Sequence, residues 1–266
     1  NPYLVPGRDA ELRLHVVSAQ GSAPPPLNAE AIVAGSRFAL DVTVPATLPD
    51  SRQYSNLDQS YRVTVPAAYM RAGSQIVLQL AGVPELVISP VFANINSINL
   101  TLVPLQLEDD ITVLPSDDVV RRSLLTVWPL ADITVARRQP FQLATPATTT
   151  TTSTMLSELY DLRVIEQGAD YYYGYFRSAM NTDAFGGRGY RPGFVSVGAV
   201  SAGTVDMVLN HELGHNFNLP HAPCGSAGNP DPLYPYANGR IGSFGVPLDF
   251  SALLSPDIYS DVMGYC

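Results

Sequence analysis

Along the first hundred residues apolar and polar positions alternate with a period of two. Residues 11–17, 37–45, 60–66, 74–80 and 85–89 are short, rich in Val and Leu, and separated by Pro, Gly and Asp. The pattern predicts half-buried strands joined by tight turns, and their regular spacing predicts a small all-β, sandwich-like domain over residues 1–97. From residue 98 the period changes. Residues 97–106 (INLTLVPLQL) predict a strand and residues 116–130 a helix: Ser116 can cap it, Asp117 and Asp118 suit its first turn, and apolar residues recur at 119, 120, 124, 125 and 128. A strand follows at 132–138. The Thr-rich stretch 144–154 reads as an exposed loop. Residues 155–165 predict a helix with Met155, Leu159 and Leu162 on one face. Strands at 171–176 and 193–200 precede a helix over 204–217, with Thr204 as its cap and Asp206 near the positive end of its dipole. Residues 222–266 have little periodicity and many Gly, Pro and Asn, so they predict a loop-rich subdomain. The fold class is therefore α+β (mixed): a β-domain, then residues 98–266 as a second domain with a twisted sheet whose last helix carries the chemistry.

Composition narrows the partners. The net charge is −9 and the fifteen basic residues, all Arg, form no cluster in the sequence. Duplex nucleic acid and anionic membranes are poor partners for such a chain. Apolar runs are short and broken by Pro, Gly or Thr, which argues against a bilayer span. The beginning, NPYLVPGRDA, has neither an initiator Met nor a basic leader and reads as a mature or trimmed form. There are two cysteines, Cys224 and Cys266. A disulfide between them would close a loop of about forty residues, worth roughly 3–4 kcal/mol in the chain-entropy model. It would also imply an oxidising compartment, extracellular or periplasmic. Two buried free thiols are the other reading. The chain is expected to be a monomer.

The chemistry concentrates in residues 210–225, NHELGHNFNLPHAPCG. Of the four His, three (His211, His215 and His221) fall in this stretch. His15, in the first predicted strand, is left out of the site. His211 and His215 are one helical turn apart and share a face, so they can share a metal. Glu212 lies beside them, placed to act as a general base rather than a ligand. A catalytic zinc takes three protein ligands and keeps one position open. The third could be His, Glu or Asp, but no Glu follows Glu212. His221 can reach the metal if the chain turns sharply after Phe217. Asn218 stands where a positive φ is wanted, and Pro220 bars helix continuation. A zinc held only for stability would tend to close with a fourth ligand, for which Cys224 is nearest.

The run HELGHNFNLPH, residues 211–221, resembles the H-E-x-x-H-x-x-G-x-x-H pattern of metzincin zinc endopeptidases, with Asn218 in place of Gly. The run SDVMGYC, residues 260–266, is similar to the metzincin Met-turn, with Met263 beneath the three His. Tyr265, two residues on, matches the Tyr that astacin-like and serralysin-like metzincins place near the zinc. The preceding β-domain is similar to that of large secreted bacterial enzymes such as mucin-targeting proteases. The resemblance implies a catalytic domain over residues 98–266, one catalytic Zn2+ on His211, His215 and His221, and Glu212 as base. It implies Tyr265 either as a switchable fifth ligand or as an oxyanion donor. Protein or peptide substrate would lie extended along an edge strand, for which residues 189–199 are the candidate. Ca2+ is a candidate ligand of the Asp- and Asn-bearing loop 228–239. Two further readings stand beside this one: a non-catalytic secreted binding protein with a relic or structural zinc site, and residues 1–97 as an inhibitory prosegment rather than an accessory domain.

Overall fold

The computed structural model describes residues 4–19, 21–94, 97–201, 203 and 205–266. Within them the chain is a mixed α+β protein with several sheets and three α-helices. It divides into two compact units, Asn1–Asn96 with Ser243–Ser255, and Ser97–Gly242 with Pro256–Cys266. The segment 243–255, expected in the second domain, packs instead with the first unit. There Gly245 bridges to Leu254, and the Phe250 carbonyl accepts from Arg62 Nη2. This loop has no apolar period, so nothing in its pattern says which core it joins.

The first unit contains β1 (Ala10–Leu14), β2 (Leu27–Val33), β3 (Ser36–Ala39), β4 (Asp41–Thr43), β5 (Tyr61–Val65), β6 (Gln75–Leu80) and β7 (Leu86–Ile88). They form two antiparallel sheets, ordered β1-β5-β4 and β3-β2-β6-β7. Leu27, Ala31 and Val33 share one core with Tyr61, Val63, Ile76 and Leu78. The central strand β2 was not expected from the sequence. Its Ala and Glu are weak strand formers, although alternate residues do point inward. Residues 37–45, expected as one strand, make two. Buried Leu40 separates them and donates its N–H to the Ala29 carbonyl, and the chain there passes from the β2 sheet to the β5 sheet. His15 falls just beyond β1, with its ring edge-on to Tyr54.

The second unit contains β8 (Ile98–Leu107), β9 (Asp110–Ile111), α1 (Asp117–Val127), β10 (Ile133–Arg137), β11 (Phe141–Gln142), α2 (Thr152–Ile165), β12 (Tyr171–Phe176), β13 (Gly187–Gly189), β14 (Val195–Ala199) and α3 (Met207–Asn216). The main sheet runs β10-β8-β12-β14-β13, parallel except for β13 at its edge. Helices cover both faces, so β8 is a nearly continuous buried run. On one face α2 packs Met155 and Leu159 against Leu105 and Val197. On the other, Leu124 of α1 and Leu209 and Leu213 of α3 pack against Leu100, Tyr173 and Tyr175. Each such apolar side chain contributes roughly 1.5–3 kcal/mol on full burial. The tyrosine run of β12 is thus divided by strand alternation, Tyr172 toward α2 and Tyr173 and Tyr175 toward α3.

Helix α1 begins as its sequence predicts, with Ser116 Oγ accepting from Val119 N. Helix α2 begins three residues before the expected 155. Thr151 and Thr154 form a reciprocal capping box, and Asp183 accepts from both Thr152 N and Thr152 Oγ1. Threonine is a poor helix interior residue but a good cap, which is why the Thr-rich run reads as loop and still starts a helix. The proposed cap of α3, Thr204, lies outside the described residues. The N-cap is Asp206, whose Oδ1 accepts from Leu209 N.

Candidate metal centre

Helix α3 is buried almost all round, so hydrogen bonds as well as apolar contacts set its rotation. Asp206 N and Asn210 Nδ2 both donate to Ser123 Oγ of α1, and Tyr175 OH of β12 donates to Asp206 Oδ2 at 3.0 Å. Burial raises the Asp206 carboxyl above its usual pKa, against the bonds that hold it ionised. This anchoring directs His211, Glu212 and His215 toward β13 and the C-terminal turn.

The helix ends as a Schellman motif. Asn218 has φ 73°, its N–H bonds to the His215 carbonyl, and Leu219 N bonds to the Gly214 carbonyl. Asn tolerates the left-handed conformation that a β-branched residue would not. The chain then turns back and brings His221 to the helix. All three imidazoles are anchored alike: Nδ1 of His211 on the Val262 carbonyl at 2.9 Å, Nδ1 of His215 on the Leu219 carbonyl at 2.9 Å, and Nδ1 of His221 on the Gly228 carbonyl. A carbonyl can only accept, so each Nδ1 carries a proton, which leaves Nε2 as the ring nitrogen available to a metal. One ligand atom from each ring can be chosen so that all lie within 4.8 Å of one another. His215 Nε2 and His221 Nε2 are 3.1 Å apart, and His211 Nε2 is buried without a partner. Burial lowers the pKa of His211 and takes His215 down to about 4, so both are neutral at pH 7. Ring nitrogens gathered this closely, one of them orphaned in the interior, could hold a metal ion.

Glu212 is buried beside them, and desolvation pushes its carboxyl up to about 8, opposed by Arg188. The adjoining strand is shaped for it. A Cβ on Gly187 would lie 2.8 Å from Glu212 Cγ and Oε1, and one on Gly189 would lie 2.6 Å from the Glu212 carbonyl. The expected substrate strand, 189–199, needs correction here. Its main strand, β14, is interior, paired to β12 and β13, and the outer edge belongs to β13, which takes only Gly189 of that range. Gly-Arg-Gly carries no strand signal, so sequence pattern could not find it.

Met263 and Tyr265 come from the last turn of the chain. Gly264 N bonds to the Asp261 carbonyl, Met263 N to Asp261 Oδ1, and Ala222 N to the Met263 carbonyl. The buried Met263 sulfur sits against Gly214, where a Cβ would come within 2.3 Å of it and 3.1 Å of Trp128. Tyr265, half exposed, places its hydroxyl 3.2 Å from His221 Nε2. Cys224 and Cys266 are joined in a disulfide, Cα–Cα 5.5 Å, that ties the segment after His221 to the C-terminal turn. A cleft of about 430 Å³ has His211 and Glu212 in its wall, with Phe185, Met207, Val208 and Val262 among its apolar lining. Among the described residues the histidine triad is the one cluster of three or more metal-ligating side chains. In the loop proposed for Ca2+, Asp231 caps a turn by accepting from Leu233 N. Residues 174–244 match the model of the Peptidase M66 family. That match runs from β12 through β13, α3 and His221, and it supports a metallopeptidase. No curated protein matches the chain.

Proposed function

We propose that the chain is a secreted, monomeric zinc endopeptidase of the metzincin type, acting on extended segments of protein or glycoprotein substrates. One observation carries the reading: three imidazoles, each fixed through Nδ1 by a backbone carbonyl, bring one ligand atom each to within 4.8 Å of one another, next in the chain to a buried carboxylate that is not a ligand in the cluster. His211, His215 and His221 would hold the ion. When bound, zinc supplies a Lewis acid that acidifies water and polarises a carbonyl. Glu212 accepts the proton of the attacking water and returns it to the departing amine. Tyr265 donates its hydroxyl to the carbonyl oxygen as negative charge develops there. Substrate adds to the outer edge of β13, with backbone hydrogen bonds giving affinity and the adjacent cleft taking a side chain. Met263 supports the histidine helix from beneath as a Met-turn, and the disulfide accords with an oxidising compartment.

The test is cleavage of casein or gelatin with and without a chelator, beside Glu212→Ala. The expected result is chelator-sensitive cleavage, lost in Glu212→Ala while metal is still bound. Metal binding without any cleavage, unchanged in the variant, would sink the proposal.

A further inference from the structure

A second cavity, of about 620 Å³, adjoins the C-terminal end of α3, where Asn216 meets the loop that follows β13. Its charged lining is one-sided. Arg163 and Arg191 line it, and no Asp or Glu does, although the whole chain carries 24 acidic residues against 15 basic ones. Among the described residues neither arginine has a carboxylate within ion-pair distance, whereas Arg37, Arg62, Arg121, Arg137, Arg138 and Arg177 each do. Arg163 is held in place: its Nε donates to the Asp170 carbonyl at 3.0 Å and its guanidinium lies 4.9 Å over the Phe194 ring. Arg191 is exposed. The remaining walls are largely aromatic, with Tyr160 edge-on to Tyr190 and Tyr171 tilted against Phe194. Two guanidiniums with unused donors, set among aromatic faces, suit a carboxylate carried next to apolar groups.

The cavity lies on the path that substrate would take. Tyr190 continues directly from β13, and Gly193 N is bonded to the Asn216 carbonyl on the histidine helix. A peptide added antiparallel to β13, the stronger pairing, runs from Tyr190 toward Gly187. Its residues beside Tyr190 therefore precede the bond held at Glu212, by a few steps of about 3.4 Å each.

We propose that this cavity is a substrate subsite for an acidic side chain two to four residues before the scissile bond, bound by Arg191 and Arg163 against the aromatic wall. The proposal rests on the metallopeptidase reading for the identity of the ligand. Its test uses synthetic, sugar-free peptide pairs that differ only as Glu or Gln at those positions. The Glu peptides should be cut with kcat/KM about fivefold to tenfold higher, the worth of a partly exposed charge-assisted hydrogen bond. Arg191→Ala should bring the ratio close to one, and Arg191→Glu should shift preference to Lys. Arg163→Lys, which keeps the charge but loses the fork, guards against loss of packing on Phe194 and should lower the ratio part-way. Fluorescence anisotropy of the same peptides on Glu212→Gln gives a readout without turnover. Acid-selective binding with no cleavage by the wild type would sink the peptidase reading and keep the subsite. Equal binding and equal cleavage of Glu and Gln peptides, or a preference that survives Arg191→Ala with Arg163→Lys, overturns the subsite alone.

Discussion

Gly214 and Met263 offer the sharpest test of how the site is held. In an exposed helix Gly→Ala stabilises by about 0.8–1 kcal/mol through backbone entropy. At position 214 the added methyl would stand 2.3 Å from Met263 Sδ and 3.1 Å from Trp128. Overpacking of this kind costs roughly 1–3 kcal/mol, so Gly214→Ala should be net destabilising by about 1 kcal/mol. Met263→Ala alone opens a cavity in a buried spot and should cost about 2–4 kcal/mol. In the double variant the methyl occupies part of that cavity and the clash with Met263 is gone, leaving only the tight contact with Trp128. The pair should therefore be less destabilised than the sum of the singles, by about 1–3 kcal/mol. Trp128, the single tryptophan, packs edge-on to Phe217 just past α3, so its fluorescence during urea unfolding reports on this region. The same samples should show weakened metal binding in both singles, because the turn that carries Met263 also supplies the Val262 carbonyl that orients His211. Additivity within about 0.5 kcal/mol would refute the packing argument.

Three further outcomes follow from the same geometry. The wild type should bind one divalent metal ion per chain, and at a hundredfold excess of metal over Kd the gain in stability should be about 2.7 kcal/mol, read as a rise in Tm that His211→Ala, His215→Ala and His221→Ala each abolish; a variant that keeps the full rise would remove that histidine from the site. Gly187→Ala should reduce kcat at least tenfold while leaving metal content unchanged, since the nearest atoms its Cβ would meet belong to the Glu212 side chain and the Val197 carbonyl; unchanged kcat would mean that Glu212 is not held against β13. Reduction of the Cys224–Cys266 disulfide should cost about 4 kcal/mol in the chain-entropy model for a separation of 42 residues, seen as a lower urea midpoint; an unmoved midpoint would show that the tail is ordered by other contacts.

The sequence signals that proved legible are those in which one residue type answers one local demand. Ser116 before an apolar helical run is the cap of α1, and Asn218 before Pro220 is the left-handed helix end that returns the chain with His221. The histidine triad was visible because imidazoles spaced by one turn and then by one tight bend have few other uses. What escaped notice depended on partners distant in sequence. Strand β2 is specified by Val63 and Ile76 across its core more than by its own Ala and Glu. Strand β13 is two glycines around an arginine, chosen for the room that Glu212 needs and for no propensity of its own. The segment 243–255 is assigned by bonds such as Arg62 to Phe250, across 188 positions of sequence.

The loop-rich C-terminal part makes the physical logic of the site plain. From Asn218 to Gly242 and from Pro256 to Cys266 the second unit has no regular helix or strand among the described residues. Besides turn and bridge hydrogen bonds of its own, it is tied to the site by the Val262, Leu219 and Gly228 carbonyls on the three imidazoles, Met263 against Gly214, Ala222 N on the Met263 carbonyl, and the disulfide. Three of these ties end on the residues proposed as ligands. Fixing the imidazoles around an ion therefore fixes the backbone that holds them, and loosening that backbone frees the rings. Metal affinity and order in the tail are two readings of one equilibrium. Amide exchange at residues near 222, 228 and 262 should accordingly slow on metal binding, with little change in β1–β7; protection confined to α3 would mean that the tail is ordered independently of the site.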